Sequence, residues 1–174
     1  DVSKSPFLPA SVAAFLRRRM VELGGAALFI FGLASLLAFF SFSSTDPSLN
    51  KAVDGTVSNL MGIWGAIGAD IGLQSMGIAA SLPGIAMLVW GWRVVTNRPI
   101  PRAWLKITVM PFALLFIAMG AAGFAPPVDW SLRAGMGGYL GQLVLGQTAG
   151  LIGETGLRLP IVLIGMPFLL IGLM

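Results

Sequence analysis

The chain of 174 residues draws 56% of them from the hydrophobic set and only 10% from the charged set, and its mean hydropathy is +0.88. A soluble domain carries about 25% charged residues, so this composition excludes an ordinary water-exposed enzyme and a disordered tail. It indicates an integral membrane protein. The chain begins with Asp1 rather than Met, and we therefore expect it to be part of a longer protein.

The sequence contains no histidine and no cysteine. Nucleophilic Ser/His and Cys/His sites, thiolate zinc sites, disulfides and histidine-ligated haem are therefore excluded. The seven acidic residues are scattered rather than clustered, and no Gly-Lys-Ser or Gly-Lys-Thr indicates a phosphate-binding loop. We predict no catalytic, metal-binding or cofactor-binding residue in this chain, and no enzymatic activity.

Long uncharged runs divide the chain into segments that can cross a bilayer, for which a helix needs roughly 20 apolar residues. We predict an all-α integral membrane fold with four transmembrane helices. Residues 1–20 form a cytoplasmic amphipathic lead-in, and residues 21–174 form a membrane domain with spans at about 23–42, 71–92, 107–124 and 157–174. Pro83 interrupts the second span, and Pro111 falls in the first turn of the third, where proline is tolerated.

Two glycine-rich stretches differ in residue composition from the predicted spans. Ala134–Gly153 also carries Gln142, Gln147 and Thr148, and we interpret it as a short helix at the outer interface or as a re-entrant element. Gly55–Ala69 is similarly rich in glycine. It either forms a separate short helix or extends the second span at an angle. The sequence leaves open whether these stretches enter the membrane.

The basic residues predict the orientation, because cytoplasmic loops of membrane proteins carry an excess of lysine and arginine. One basic group precedes the first span and the other fills the link between the second and third: Arg17, Arg18, Arg19, Arg93, Arg98, Arg102 and Lys106. Both segments are therefore predicted to be cytoplasmic, and four spans then place both termini on that side. The tryptophans lie near the predicted span boundaries, as an aromatic belt requires.

Small residues four apart recur in the glycine-rich stretches: Gly65 and Ala69, Gly68 and Gly72, Gly137 and Gly141, Gly146 and Gly150. In lipid, such pairs let helix backbones approach closely. They could pack helices within the bundle or join subunits, and we favour packing within the bundle.

Asp70 is the one acidic residue set between two apolar segments. An intramembrane carboxylate is a candidate for function, for example as a proton site. The span that follows Asp70 is long enough without it, so we favour a structural role at the outer interface, beside the N-terminal end of the helix. Glu154 and Arg158 are one helical turn apart, and we predict a structural ion pair between them.

The segment after the first span carries a specific string of residues: Asp46, Pro47 and Ser48, followed by Asn59, Gly62, Gly65, Ala66, Ala69 and Asp70. This string resembles the N-terminal four-span membrane domain of the FtsK/SpoIIIE family of DNA translocases. In that family an outer-loop D-P-S precedes N-x-x-G-x-x-G-A-x-x-A-D, and residues 59–70 fit the pattern at every named position. The glycine-rich stretch at 137–150, before a final span, is also similar to the family.

The resemblance implies the anchor of a translocase that couples chromosome segregation to cell division, in the bacterial inner membrane at the division septum. A cytoplasmic linker and a hexameric motor that uses ATP and Mg to pump DNA would lie outside this chain. The chain would contact the bilayer, copies of itself and other divisome membrane proteins, and DNA only through that motor. The residues alone leave an alternative, a small transporter or ion-conducting subunit that uses Asp70 and Glu154.

Overall fold

The computed structural model describes residues 9–48, 56–128, 130 and 132–152. Within these ranges there is no β-strand, and the helices follow in the order α1 (Ala10–Phe40), α2 (Gly62–Met76), a 3₁₀ helix (Gly77–Ser81), α3 (Leu82–Val95), α4 (Ala103–Ala122) and α5 (Gly138–Ile152). Three stretches are long and apolar enough to cross a membrane: Ala10–Phe40, Gly62–Val95 and Ala103–Ala122. The all-α membrane class is therefore confirmed. The fourth predicted span, with Glu154 and Arg158, lies outside the described residues.

Helix α1 joins the predicted lead-in and the first span into one helix of 31 residues. At 1.5 Å per residue it is roughly 46 Å long, which exceeds the thickness of about 30 Å of a bilayer's hydrocarbon core. Its first part, residues 10–20, is exposed at every position. The helix therefore has enough length for both predicted parts, and the place of the lead-in on the inner leaflet stays a prediction.

Helix α3 packs antiparallel along α1 through two pairs of glycines. Gly25 lies opposite Gly91, and Gly32 lies opposite Gly84, so the glycines are seven residues apart on both helices. A methyl group at Gly91 would lie 2.7 Å from the carbonyl oxygen of Gly25, and one at Gly32 would lie 2.7 Å from that of Gly84. The two backbones are thus in direct contact, as small residues permit between helices in lipid.

The predicted pairs of small residues four apart have different environments. Gly137 and Gly141 pack on α4, where a methyl group at either position would collide with the carbonyl oxygen of Ala118. This pair therefore serves packing within the bundle, as predicted. A methyl group at Gly68 or at Gly146 would meet nothing within 4 Å, so these two positions contribute no close contact in the described part.

The helical segments that cover the second predicted span do not share its bounds, residues 71–92. Helix α2 runs from Gly62 to Met76, so it takes up residues 62–69 of the glycine-rich stretch and only the first six residues of the predicted span. The helix stops at Gly77, which has a φ of +60° and lies so close to the carbonyl group of Met136 that a side chain would collide with it. The N–H of Ile78 donates to that carbonyl oxygen at 2.9 Å. The break therefore comes from a contact with a distant part of the chain.

Helix α4, Ala103–Ala122, overlaps the third predicted span at about 107–124 and begins four residues before it. Arg102 precedes it in the left-handed conformation, with a φ of 51°. Pro111 therefore lies about two turns inside the helix, and not in its first turn. There it removes the N–H that would bond to the carbonyl oxygen of Ile107.

The core of the described part lies where the 3₁₀ helix meets α3 and α4. It consists of Ala79, Leu82 and Ala118, with Met76, Ile85, Leu114 and Ile117 packed around them. No large side chain in the described part is completely buried, and most buried apolar positions are alanines. The bundle is therefore held by close backbone approach rather than by large interlocking side chains.

We expect Gly32→Ala and Gly91→Ala to lower the thermal unfolding midpoint of the detergent-solubilised chain. Each added methyl group would meet backbone atoms of the facing helix, and such overpacking costs about 1–3 kcal/mol. Gly24→Ala is the matched control, because its methyl group would meet nothing within 4 Å. Equal midpoints for Gly24→Ala and Gly32→Ala would contradict the packing of α1 against α3.

Candidate functional site

Most residues of the family-like string gather where α1 ends and α2 begins. Asp46 is 5% exposed, and its two carboxylate oxygens accept hydrogen bonds from the backbone N–H groups of Ser58 at 2.8 Å and Asn59 at 2.9 Å. Each carboxylate oxygen thus has one backbone donor, and hydrogen bonds of this kind are strong. Asp46 therefore connects the segment that follows α1 to the segment that precedes α2 by hydrogen bonds.

Asn59 is 4% exposed and connects the end of α1 to the start of α2. Its side-chain N–H groups donate to the carbonyl oxygens of Ala38 at 2.9 Å and Ser41 at 3.4 Å. Its Oδ1 accepts the N–H of Met61 at 3.0 Å. Because the last carbonyl groups of a helix lack helical partners, Asn59 satisfies the end of α1 and shapes the turn into α2 with one side chain.

Ser41 completes this cluster, and the sequence reasoning missed it. Its hydroxyl donates to the carbonyl oxygen of Leu37 at 2.6 Å and accepts the N–H of Leu60 at 3.0 Å. Its position directly after a long apolar run is the sequence signal that could have indicated a role at the end of the helix. We call Ser41, Asp46 and Asn59 the Asn59 junction.

The small residues of the string let α2 lie directly on this junction. A methyl group at Gly65 would lie 2.5 Å from Oδ1 of Asn59. Ala66 and Ala69 are 2% and 1% exposed, so both small side chains are buried in the packing of α2. Gly62 has a φ of +66°, a conformation that favours glycine. These four positions therefore have a structural reason for their residue types.

The remaining residues of the string are not part of the junction's hydrogen bonds. Pro47 and Ser48 are half-buried directly after Asp46. Asp70 is half-buried in the interior of α2, where its Oδ1 accepts a hydrogen bond from Nε2 of Gln74 at 2.7 Å. It lies about two turns after the start of the helix, rather than beside the N-terminal end where we expected it.

The opposite end of the α1–α3 pair, which we call the Glu22 end, brings the two basic segments together. The carboxylate of Glu22 accepts hydrogen bonds from Arg18 at 3.0 Å and Arg19 at 2.6 Å. Asn97, in the link after α3, donates to the same carboxylate at 3.5 Å. Both basic segments therefore lie at one end of the helix pair, and the Asn59 junction lies at the other.

The other basic residues at this end differ in their surroundings. Arg17, Arg98 and Arg102 are exposed, whereas Arg93 is half-buried and donates to the carbonyl oxygen of Pro99 at 3.0 Å. Lys106 is only 5% exposed. A residue that sets topology by its charge alone would be expected in water, so the burial of Lys106 is a finding that its position in the sequence did not predict.

The cavities beside the junction are apolar. One of about 500 Å³ lies between α1, the 3₁₀ helix and Trp130, and one of about 320 Å³ lies between α1 and α2. The side chains with a polar group that line them are Ser81 and Trp130 in the first and Ser35 and Trp64 in the second. Within the described ranges, no three His, Cys, Asp or Glu residues come together to hold a metal ion.

The fold and the junction define a multi-pass, all-helical membrane domain whose most elaborate polar structure ties helix ends together. The chain belongs to the family described as the 4TM region of DNA translocase FtsK/SpoIIIE, whose model matches residues 17–174. The family resemblance drawn from residues 46–48 and 59–70 is confirmed.

Curated relatives carry the name DNA translocase FtsK. The protein from Bradyrhizobium diazoefficiens is 36% identical over 157 residues, which are 86% of this chain and 18% of the relative. The proteins from Mesorhizobium japonicum and Azospirillum brasilense are 36% and 33% identical, over 84% and 88% of this chain and 17% and 25% of the relatives. This chain thus spans a quarter or less of these relatives' length. No solved structure matches it.

We expect Asn59→Ala to lower the stability of the chain by about 1–3 kcal/mol, because it leaves the carbonyl group of the buried Ala38 and the N–H of Met61 without the hydrogen bonds that Asn59 provides. Asp46→Asn should have a similar effect, since the amide can accept at only one of its two ends. The measurement is thermal unfolding in detergent.

Asp70→Asn is the matched control for Asp46→Asn, because it makes the same chemical change at a half-buried carboxylate with one side-chain partner. It should shift the unfolding midpoint much less than the substitution at Asp46. A larger effect at Asp70 than at Asp46 would contradict the structural role of the junction.

Proposed function

We propose that this chain is the membrane anchor and assembly domain of a DNA translocase of bacterial cell division. The observation that carries the proposal is the match of residues 17–174 to the FtsK/SpoIIIE membrane region, in relatives named DNA translocase that are several times longer. ATP-driven pumping of DNA, with its Mg, would belong to the motor in the remaining part of such a protein. Only that motor would contact DNA.

The geometry of the described residues supports an anchor. Its apolar helices provide surface for the bilayer, and its buried polar groups at the Asn59 junction are hydrogen-bonded to the chain itself. The transporter alternative has little support, because Asp70 is bonded to Gln74 and the apolar cavities offer no row of ionisable side chains. Its second candidate residue, Glu154, lies outside the described residues.

We propose further that the Glu22 end faces the cytoplasm and that the Asn59 junction faces outward, in the inner membrane at the division septum. The bases Arg17, Arg18, Arg19, Arg93 and Arg98 lie in the two segments at the Glu22 end, which agrees with the positive-inside rule. The outward end would meet other divisome membrane proteins, and the domain would associate with itself as part of a hexameric translocase.

Cysteine labelling tests this orientation, because the chain has no cysteine of its own. In intact cells, a membrane-impermeant maleimide should label Thr45→Cys and Val128→Cys, which are exposed near the outward end. Pro101→Cys, exposed in the link before α4, should react only after lysis. The reverse pattern would contradict the proposed orientation.

Localisation of the chain fused to a fluorescent protein tests the proposed function. In dividing cells the fusion should concentrate at the septum, and Asp46→Asn should reduce that enrichment because it disturbs the outward end. Gly68→Ala is the control, because its methyl group meets no neighbour. Uniform membrane fluorescence of the wild-type fusion, at normal expression and stability, would contradict a localising role for this chain.

A further inference from the structure

Helix α1 extends well past the polar contacts of the Glu22 end. From Glu22 to Ser41, in the Asn59 junction, the chain rises roughly 28 Å, which matches the hydrocarbon core of about 30 Å. Residues 10–21 belong to the same uninterrupted helix, which contains no proline. The ion pairs of Glu22 with Arg18 and Arg19 stabilise the helix across this boundary. The two polar ends thus fit the two boundaries of the core, and residues 10–21 lie beyond it.

Apolar side chains line one face of α1 and are not covered by any other part of the described chain. They recur at intervals of three and four residues, the period at which helices pack as coiled coils. We call these exposed residues the α1 stripe: Ala13, Leu16, Met20, Leu23, Ala27 and Ile30. Gly25 and Gly32, which pack on α3, lie on the opposite side of the helix.

Lipid tails cannot cover the first half of the stripe. Ala13 and Leu16 lie roughly 13 and 9 Å beyond Glu22 along the helix, whereas the headgroup layer is only about 5–8 Å thick on each side of the core. A tilt of about 20°, the average for membrane helices, shortens these distances only slightly. Apolar surface that meets water at this level favours association, because its burial is worth about 25 cal/mol per Å².

A second copy of the chain offers a matching surface. Copies of one membrane protein share their orientation, since the same basic segments set it, so two α1 helices meet in parallel. In the heptad register of the stripe, Arg17 then faces Val12 of the other copy, and Arg19 faces Gly24 of the other copy. No arginine faces another arginine, and Arg19 also has Glu22 of its own helix as a counter-charge.

We propose that copies of this chain associate through the α1 stripe, in parallel, with Leu16 and Met20 of one copy packed against the same residues of another. The contact begins in the extension before Glu22 and continues toward Ile30. The proposal rests on the self-association that forms part of the proposed function, and it adds the surface and the orientation of the contact. It depends neither on DNA translocation nor on localisation at the septum.

Disulfide cross-linking of single-cysteine variants tests this contact. The chain of 174 residues, which has no cysteine of its own, is reconstituted in liposomes at a low ratio of protein to lipid and then oxidised. Leu16→Cys and Met20→Cys should form covalent dimers severalfold more than Ala14→Cys does. Ala14 is the matched control, because it is exposed at the same level of α1 but lies about 160° around the helix from Leu16.

A second pair of variants disrupts the contact without changing the packing within one copy. In the Met20→Cys chain, Leu16→Lys should lower the yield of covalent dimer severalfold, because it places equal charges opposite each other. Ala14→Lys adds the same charge off the stripe and should leave the yield unchanged. Both side chains are exposed, so both variants should keep the thermal unfolding midpoint of the Met20→Cys chain.

Equal dimer yields for Leu16→Cys and Ala14→Cys, in a chain that native mass spectrometry shows to be oligomeric, would overturn the proposal and assign self-association to another surface. An absence of both cross-links and oligomers would overturn it together with the self-association in the proposed function. The stripe would then be covered by lipid headgroups or by residues 153–174 of the same chain. Neither of these yields a disulfide, because each chain carries a single cysteine.

Discussion

Backbone groups that are buried away from water, within the protein or in the core of a bilayer, must find hydrogen-bond partners within the protein. This constraint accounts for the most detailed polar structure of the molecule. Asn59 bonds to the carbonyl group of Ala38 at the end of α1 and to the N–H of Met61 before α2. At the break after α2, the N–H of Ile78 bonds to the carbonyl oxygen of Met136. These two irregular segments thus each have a specific partner.

The same constraint explains why small residues matter so much here. Lipid tails are as apolar as leucine side chains, so burial of apolar surface gives little drive for helices to associate. Association then depends on dispersion and on short backbone distances, and these require glycine or alanine at the contact. Gly25, Gly32, Gly84 and Gly91 provide them between α1 and α3. In the family motif, Gly65 and Ala66 similarly give α2 its place on the junction.

Much of this arrangement could be predicted from the sequence, because apolar run length and the distribution of charge act locally. The membrane class, the helical fold and the clustering of the basic segments at one end follow from these signals. The break at Gly77 could not be predicted, since it depends on Met136, which is far away in sequence. Pro111 was placed wrongly because Lys106, although charged, lies within α4.

The closure of the chain by Asp46 has a consequence for how such a domain can change during evolution. Its carboxylate accepts hydrogen bonds from Ser58 and Asn59, so the two ends of the intervening segment, at Asp46 and Ser58, are held close together. Lengthening a loop whose ends are already joined costs little, about 0.6 kcal/mol for each doubling. Residues 49–55 can therefore vary in length and composition while the helices keep their packing.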